Sequence, residues 1–188
     1  MIGIDISHWD KKKLDFKDLL KSQDFVIIKA TDGTKTDPEL MNSYNALTSR
    51  KIGLYAYTYA TTIEEAKREA AAFCAAVKPL KKNMGCFIDV EDKRLKKLSK
   101  EDLTNILNAW AVTAKSFGID VGIYTNPDWI ERRLQLDRLQ ITQLWLAVWT
   151  DSISKLVKYH AKYKPDIIQY TNSFKLANGK KVDGDIVF

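Results

Sequence analysis

The sequence predicts an α/β fold: a shortened, flattened and irregular β/α barrel, TIM-barrel-like, with eight strands and fewer than eight helices. Three observations carry this. Short apolar runs rich in Ile, Val, Tyr and Trp recur along the chain, as strands should. Segments of helical apolar spacing separate most of them, which implies a parallel sheet with helical crossovers. The chain has 188 residues, well under the roughly 250 of a full eightfold barrel, so some crossovers must be missing, the late ones first. An open doubly wound sheet is the alternative.

The strand runs are IGIDIS (2–7), FVIIKAT (25–31), GLYAYTY (53–59), CFIDVE (86–91), DVGIYT (120–125), LWLAVW (144–149) and DIIQYT (166–171), with VDGDIVF (182–188) as the eighth. Residues 38–50 open on Asp37-Pro38, a helix start, and place Leu40, Tyr44 and Leu47 at helical spacing. Residues 63–78 align Ile63, Ala66, Ala70, Phe73, Cys74 and Val77 on one face. Ser99 with Asp102 resembles a capping box, and Leu103, Ile106, Leu107, Trp110, Ala114 and Phe117 form a stripe that Gly118 ends. Asn126-Pro127 starts another short helix. Residues 172–181, NSFKLANGKK, read as a turn.

Hydrophobic residues make up 45% of the chain, enough for one domain spanning residues 1–188 with a real core. No apolar run of 18 residues is present, so no membrane insertion is expected. The first residues, MIGIDISHWD, lack the build of a secretory signal; holin-type release, lysis or a missing leader would then account for export. The net charge of +6 fits either solubility or an anionic partner such as nucleic acid, acidic lipid or an acidic wall. Cys74 and Cys86 lack metal-ligand spacing and read as buried free thiols. With only His8 and His160 available, neither a metal nor a cofactor is expected.

Chemistry gathers at the strand ends. Asp5 closes the first run, with His8 and Trp9 beyond. Lys29 and Asp32 close the second. Tyr55, Tyr57 and Tyr59 share one parity of the third, and Asp89 and Glu91 end the fourth. Tyr124, Trp149 and Gln169 end the next three, and Asp183 opens the last. Carboxyl ends of parallel strands face one side, where ligands bind. Asp5, Asp89, Glu91 and Asp183 should therefore meet in one cleft, with the basic surplus outside it. Residues i and i+2 share a strand face, about 6.5–7 Å apart, so Asp89 and Glu91 point the same way and Val90 the other. Like charges this close raise one pKa, giving a proton donor beside a carboxylate. Such a pair suits glycosidic cleavage, one acid protonating the leaving oxygen and the other stabilising positive charge. Backbone spacing leaves retention and inversion both open. An isolated Asp-x-Glu is usually a solvated loop pair. The apolar run before this one and the acids at other strand ends set it apart, whereas Asp92 belongs to the charged surface EDKRLKK. Tyr and Trp supply flat faces for sugar rings.

The ordered set GIDISHW, FVIIKATDG, IGLYAY, FIDVED, GIYTN, LWLAVW, IIQYT and VDGDIVF resembles glycoside hydrolase family 25, the Chalaropsis-type lysozymes found among phage endolysins and bacterial autolysins. The resemblance runs the length of the chain. It implies an N-acetylmuramidase that hydrolyses the β-1,4 bond from N-acetylmuramic acid to N-acetylglucosamine at the bacterial cell wall. It also implies a flattened barrel with missing helices, a peptidoglycan partner rather than nucleic acid, and action as a monomer. By match, Glu91 is the general acid/base. Asp89 is its partner, acting directly or by supporting attack of the substrate's N-acetyl group. Asp5 and Asp183 are further acids of the cleft, and Lys29, Asp32, Tyr55, Tyr124, Trp149 and Gln169 line it. The chain departs from the family where Asp32 replaces Glu, Ala56 replaces His, and Asp10-Lys11 replaces Gln or Asn then Gly. No wall-binding module is recognisable beyond the barrel. Two rivals are a metal-dependent nuclease or phosphatase using the same acids and a non-catalytic carbohydrate-binding barrel. The retained Asp89–Glu91 pair argues against the second.

Overall fold

The computed structural model describes residues 1–188. Nine strands lie in chain order: β1 (Ile2–Ile6), β2 (Phe25–Asp32), β3 (Lys35–Thr36), β4 (Lys51–Tyr57), β5 (Cys86–Asp89), β6 (Gly122–Thr125), β7 (Leu144–Ala147), β8 (Ile167–Lys175) and β9 (Lys181–Ile186). All but β3 form a ring, which β1 closes by pairing with both β2 and β9; β3 hangs on the end of β2. The ring is the closed barrel, and the open sheet is set aside.

The sheet is not parallel throughout. Strands β1, β2 and β4 to β8 run in parallel, but β9 is antiparallel to both neighbours. The reason lies in residues 172–181, which are too few for a crossover and can only make a hairpin. Much of the stretch expected as turn is strand, since β8 continues to Lys175. The reversal occupies Leu176 to Lys180, with Gly179 at φ +80 and the Leu176 N–H donating to the Lys180 carbonyl at 2.8 Å. One consequence matters for the site. The entry end of β9 lies beside the exit ends of the other strands, and Asp183 pairs in register with Asp5.

Six helices fill the other connections: α1 (Phe16–Ser22), α2 (Leu40–Leu47), α3 (Ile63–Val77), α4 (Lys100–Ser116), α5 (Pro127–Arg133) and α6 (Ile153–Tyr163). Their starts are chemically marked. Thr62, Ser99 and Asn126 accept from the N–H groups of Glu65, Asp102 and Trp129, satisfying donors that a helix start leaves free. Helix α2 begins later than the Asp37-Pro38 pair suggested. Asp37 instead accepts from the Glu39 N–H at 2.9 Å and lies 2.7 Å from His8 Nδ1. Helices α1 and α6 were not foreseen. Each buries a single residue, Leu19 or Leu156, although Phe16, Leu19 and Leu20 in α1 and Ile153, Leu156 and Val157 in α6 stand at helical spacing.

Strand alternation separates two cores. Outward residues such as Ile4, Val26, Leu54, Ile88, Ile123 and Leu146 join Phe73 and Trp110 of the helices in a buried cluster of 41 residues. Inside the barrel only seven residues cluster: Phe25, Ile27, Tyr55, Phe87, Tyr124, Trp145 and Ile167. Each fully buried aliphatic side chain contributes about 1.5–3 kcal/mol, so the outer layer carries the fold. That leaves the upper barrel interior free to be polar. Cys74 and Cys86 are free and buried, and burial pushes their thiols up to about 11 and about 12.

Candidate active site

Inward-facing residues at one end of the barrel meet in a small hollow of about 80 Å³, lined by Asp5, Tyr55, Asp89, Glu91, Tyr124, Trp145, Gln169 and Asp183. The four acids separated in sequence thus come together. Asp5 and Asp89 are buried, Asp183 is half-buried and Glu91 stands at the open rim. β5 ends at Asp89, and Glu91, two residues on, still faces the same hollow.

No Lys or Arg lies within ion-pairing distance of these acids. Burial drives the Asp89 pKa well up; the charge of Glu91 adds to this and Lys29 opposes it. Glu91 is raised as well. The walls strip water from its carboxyl although the residue is exposed, the charge of Asp183 adds to the rise, and Lys29 again opposes it. Asp183 is pushed up to about 6, first by burial and then by Asp10. A raised pKa is what a proton donor requires, and a charge on one acid of the pair favours the proton on the other.

Hydrogen bonds hold the floor. Gln169 Nε2 donates to Asp5 Oδ2 at 2.8 Å and to Asp183 Oδ2 at 3.4 Å. Gln169 Oε1 accepts from the Tyr124 hydroxyl at 2.9 Å and from Trp149 Nε1 at 2.7 Å. One buried amide therefore ties the two acids to a wall tyrosine and to a tryptophan that is 60% exposed. One oxygen of Asp89, Oδ1, is buried without any partner.

The remaining residues named from sequence divide. Tyr55 and Tyr124 line the hollow and pack against Trp145. Lys29 is buried, with Nζ 4.9 Å from the centre of the Tyr57 ring. Asp32 does not reach the hollow. It lines a separate cavity of about 640 Å³ with Lys35, Tyr59, Arg68 and Arg94, where its Oδ1 is buried without a hydrogen-bond partner. Ala56 faces the outer core, so the departure there leaves the lining unchanged. The Asp10 departure does reach the site, through its charge on Asp183. Two residues were missed. Trp145 lines the hollow, and its parity with Trp149 in LWLAVW could have shown it. Asp185, two residues beyond Asp183, is fully buried and accepts from Trp145 Nε1 at 2.8 Å. The i, i+2 rule applied to Asp89 and Glu91 would have found it.

The family model of the glycosyl hydrolases family 25 matches residues 4–178. The fold superposes on the modular autolysin LytC from Streptococcus pneumoniae, solved with a synthetic peptidoglycan ligand, at TM-score 0.83 and 22% identity, covering all of this chain and 46% of that one. The chain thus spans about half of that autolysin's length. It matches the catalytic domain of endolysin ply40 from bacteriophage P40 of Listeria monocytogenes at TM-score 0.81 and 22% identity, covering 100% and 93% of the two chains. A family 25 glycosyl hydrolase from Bacillus anthracis matches at TM-score 0.80 and 25% identity, covering 100% and 88%. No curated protein matches it in sequence. The paired acids at the mouth of an eight-stranded barrel and the family match along nearly the whole chain have one meaning: this chain is a glycoside hydrolase and belongs to glycosyl hydrolase family 25.

Proposed function

We propose that the chain is a muramidase that hydrolyses the β-1,4 bond from N-acetylmuramic acid to N-acetylglucosamine in bacterial peptidoglycan, and that it acts at the cell wall as a monomer. One observation carries this: Asp89 and Glu91 enter the same hollow without a cation bound to either, one buried and one at the rim. The autolysin solved with a peptidoglycan ligand and the Listeria phage endolysin share this barrel, which supports the wall as substrate.

The division of labour follows from position. Glu91 is reachable from solvent and its pKa is raised, first by burial, so it is the acid that protonates the leaving glycosidic oxygen. Asp89 lies deeper, beneath the sugar carbon that becomes positive, and stabilises that charge directly or through the N-acetyl group. Asp5 and Asp183, held by Gln169, keep the floor acidic. Tyr55, Tyr124 and Trp149 offer flat faces to the sugar, and Lys29 limits how far the two catalytic pKa values rise. Asp32 would touch substrate only where the glycan extends into the neighbouring cavity.

Release of reducing ends from purified peptidoglycan tests this. Wild type should generate them with N-acetylmuramic acid at the new end, and should do so in the presence of a chelator. Absence of reducing-end release, or release of phosphate or nucleotide in its place, would overturn the reading.

A further inference from the structure

Asp185 is the buried acid of the barrel interior to which the proposed mechanism gives no task. Its side chain is fully enclosed. On β9 it pairs with Gln169 of β8 and Gly3 of β1, which places Asp5 diagonally across from it, within side-chain reach. Oδ1 accepts from Trp145 Nε1 at 2.8 Å. Oδ2 is buried with no N–H or O–H donor to satisfy it, and the carboxyl of Asp5 lies within hydrogen-bonding reach of the Asp185 side chain. Two buried carboxyls in contact, with no cation acting on either, cannot both be charged. A proton between them satisfies the orphaned oxygen and removes one charge.

We propose that Asp185 is a positioning residue that shares one proton with Asp5, and that this carboxyl pair locks Gln169, and through it Tyr124 and Trp149, in the geometry the sugar meets. Gln169 can give its N–H groups to Asp5 and Asp183 only if Asp5 accepts on that side. With its other hydrogen bond taken up by Asp185, Asp5 presents Oδ2 to Gln169 and nothing else. The amide is then fixed with Oε1 outward, where Tyr124 and Trp149 donate to it. The titratable groups facing Asp185 are Asp5 on β1, Asp183 on β9 and Tyr170 on β8; β7 supplies only the Trp145 N–H. Burial, opposed by the bonds from Trp145 and Asp5, leaves Asp185 pushed up to about 8, in line with a retained proton.

Two variants test it, and the activity arm rests on the muramidase reading above. Asp185→Leu removes donor and acceptor together, and kcat should fall about tenfold or more. Asp185→Asn keeps the shape, gives Asp5 a permanent N–H and still accepts from Trp145, so it should restore most of the lost rate. Thermal stability supplies an arm that needs no substrate. An acid whose folded pKa is raised binds more protons folded than unfolded, so it costs stability increasingly from about pH 4 to about pH 8 and then levels off. The melting temperature of Asp185→Asn minus that of wild type should therefore rise across that window and flatten above it. An Asn variant as slow as the Leu variant would mean that a negative charge is required at 185. A melting difference independent of pH would mean that no proton is held there. Either result overturns the proposal, and the second does so even if the chain cleaves another substrate.

Discussion

Residues 86–92 hold two kinds of carboxylate. Asp92 faces away from the hollow, accepts from Arg94 Nε at 2.7 Å and from the Arg94 N–H at 2.9 Å. Burial alone would raise its pKa, but Arg94 outweighs burial and the pKa falls. Asp89 and Glu91 have no such partner, and both rise. The cavity beside the hollow also supplies donors to its glutamates, although burial still outweighs them at Glu69, whose pKa rises. There, Glu69 accepts from Thr58 Oγ1 at 2.6 Å and from the Tyr59 N–H at 3.1 Å, and Glu65 accepts from both the N–H and the hydroxyl of Thr61. Acids that serve the fold are given donors. The two acids proposed for the chemistry are left short of them, and burial raises both.

The largest break in that comparison comes from Glu91→Gln. It keeps size and hydrogen bonding but removes the transferable proton. General acid catalysis is worth about 10²–10⁴-fold, so kcat for reducing-end release should drop by that order while circular dichroism stays unchanged. A folded variant with wild-type turnover would reassign the acid. Asp89→Asn should also slow the chemistry, by about 10²-fold or more, through loss of negative charge near the cationic centre. Its stability should move the other way. Asp89 has a raised folded pKa, so it costs stability as pH climbs above about 4. The amide ends that cost, and at pH 7 the variant should gain about 1–3 kcal/mol in denaturant unfolding. A destabilised Asp89→Asn would show that the buried charge is better satisfied than its orphaned oxygen indicates.

Asp183→Asn sharpens the comparison with a smaller effect. Above about pH 6 Asp183 is negative, and that charge helps hold the proton on Glu91. Without it Glu91 should lose its proton at lower pH. The alkaline limb of the kcat–pH profile should then shift toward acid, with little change at its acid end. A shift toward alkali would mean that Asp183 does not act on Glu91 through charge.

The sequence showed some of this plainly. Each of the eight apolar runs holds a barrel strand, because β-branched and aromatic residues alternate there between two buried faces. Asp5, Asp89, Glu91 and Asp183 were legible as one cluster because strand ends share one side of such a fold. The limits are equally physical. Direction is not encoded in a strand's own residues, so the reversal of β9 had to come from the length of the turn before it. Helix α6 carries Ile153, Leu156 and Val157 at helical spacing, so its pattern was there to read, although Ile153 and Val157 are exposed and only Leu156 is core. Asp32 sits at a strand end like the other acids. A bulge in β2 between Lys29 and Thr31 shifts its register against β4, and local composition does not announce it. Trp145 and Asp185 were hidden for another reason: both lie deep in the barrel, where side chains hold other side chains rather than the ligand.

The smallest expected effect belongs to Asp92→Asn, and it is the control for the whole comparison. Asp92 is adjacent in sequence to Glu91, the proposed general acid, so a rule based on proximity would make it as damaging as Asp89→Asn. The geometry says otherwise. Its bonds run to Arg94, which is half exposed and also stacks 3.9 Å from the centre of the Tyr59 ring, so Arg94 keeps an anchor when the ion pair is lost. The Arg94 end of the pair lies in solvent, where water and salt screen it, so unfolding should register little change. Two links to the site remain: the Tyr57 hydroxyl, 3.4 Å from Asp92 Oδ2, from which an amide oxygen can still accept, and the Asp92 charge, the last and smallest of the influences on Glu91. Turnover should stay within about twofold of wild type, with any change confined to KM. An inactive Asp92→Asn beside an active Asp89→Asn would exchange the two roles. It would also show that carboxylates with a full set of donors, rather than those left short, carry the chemistry here.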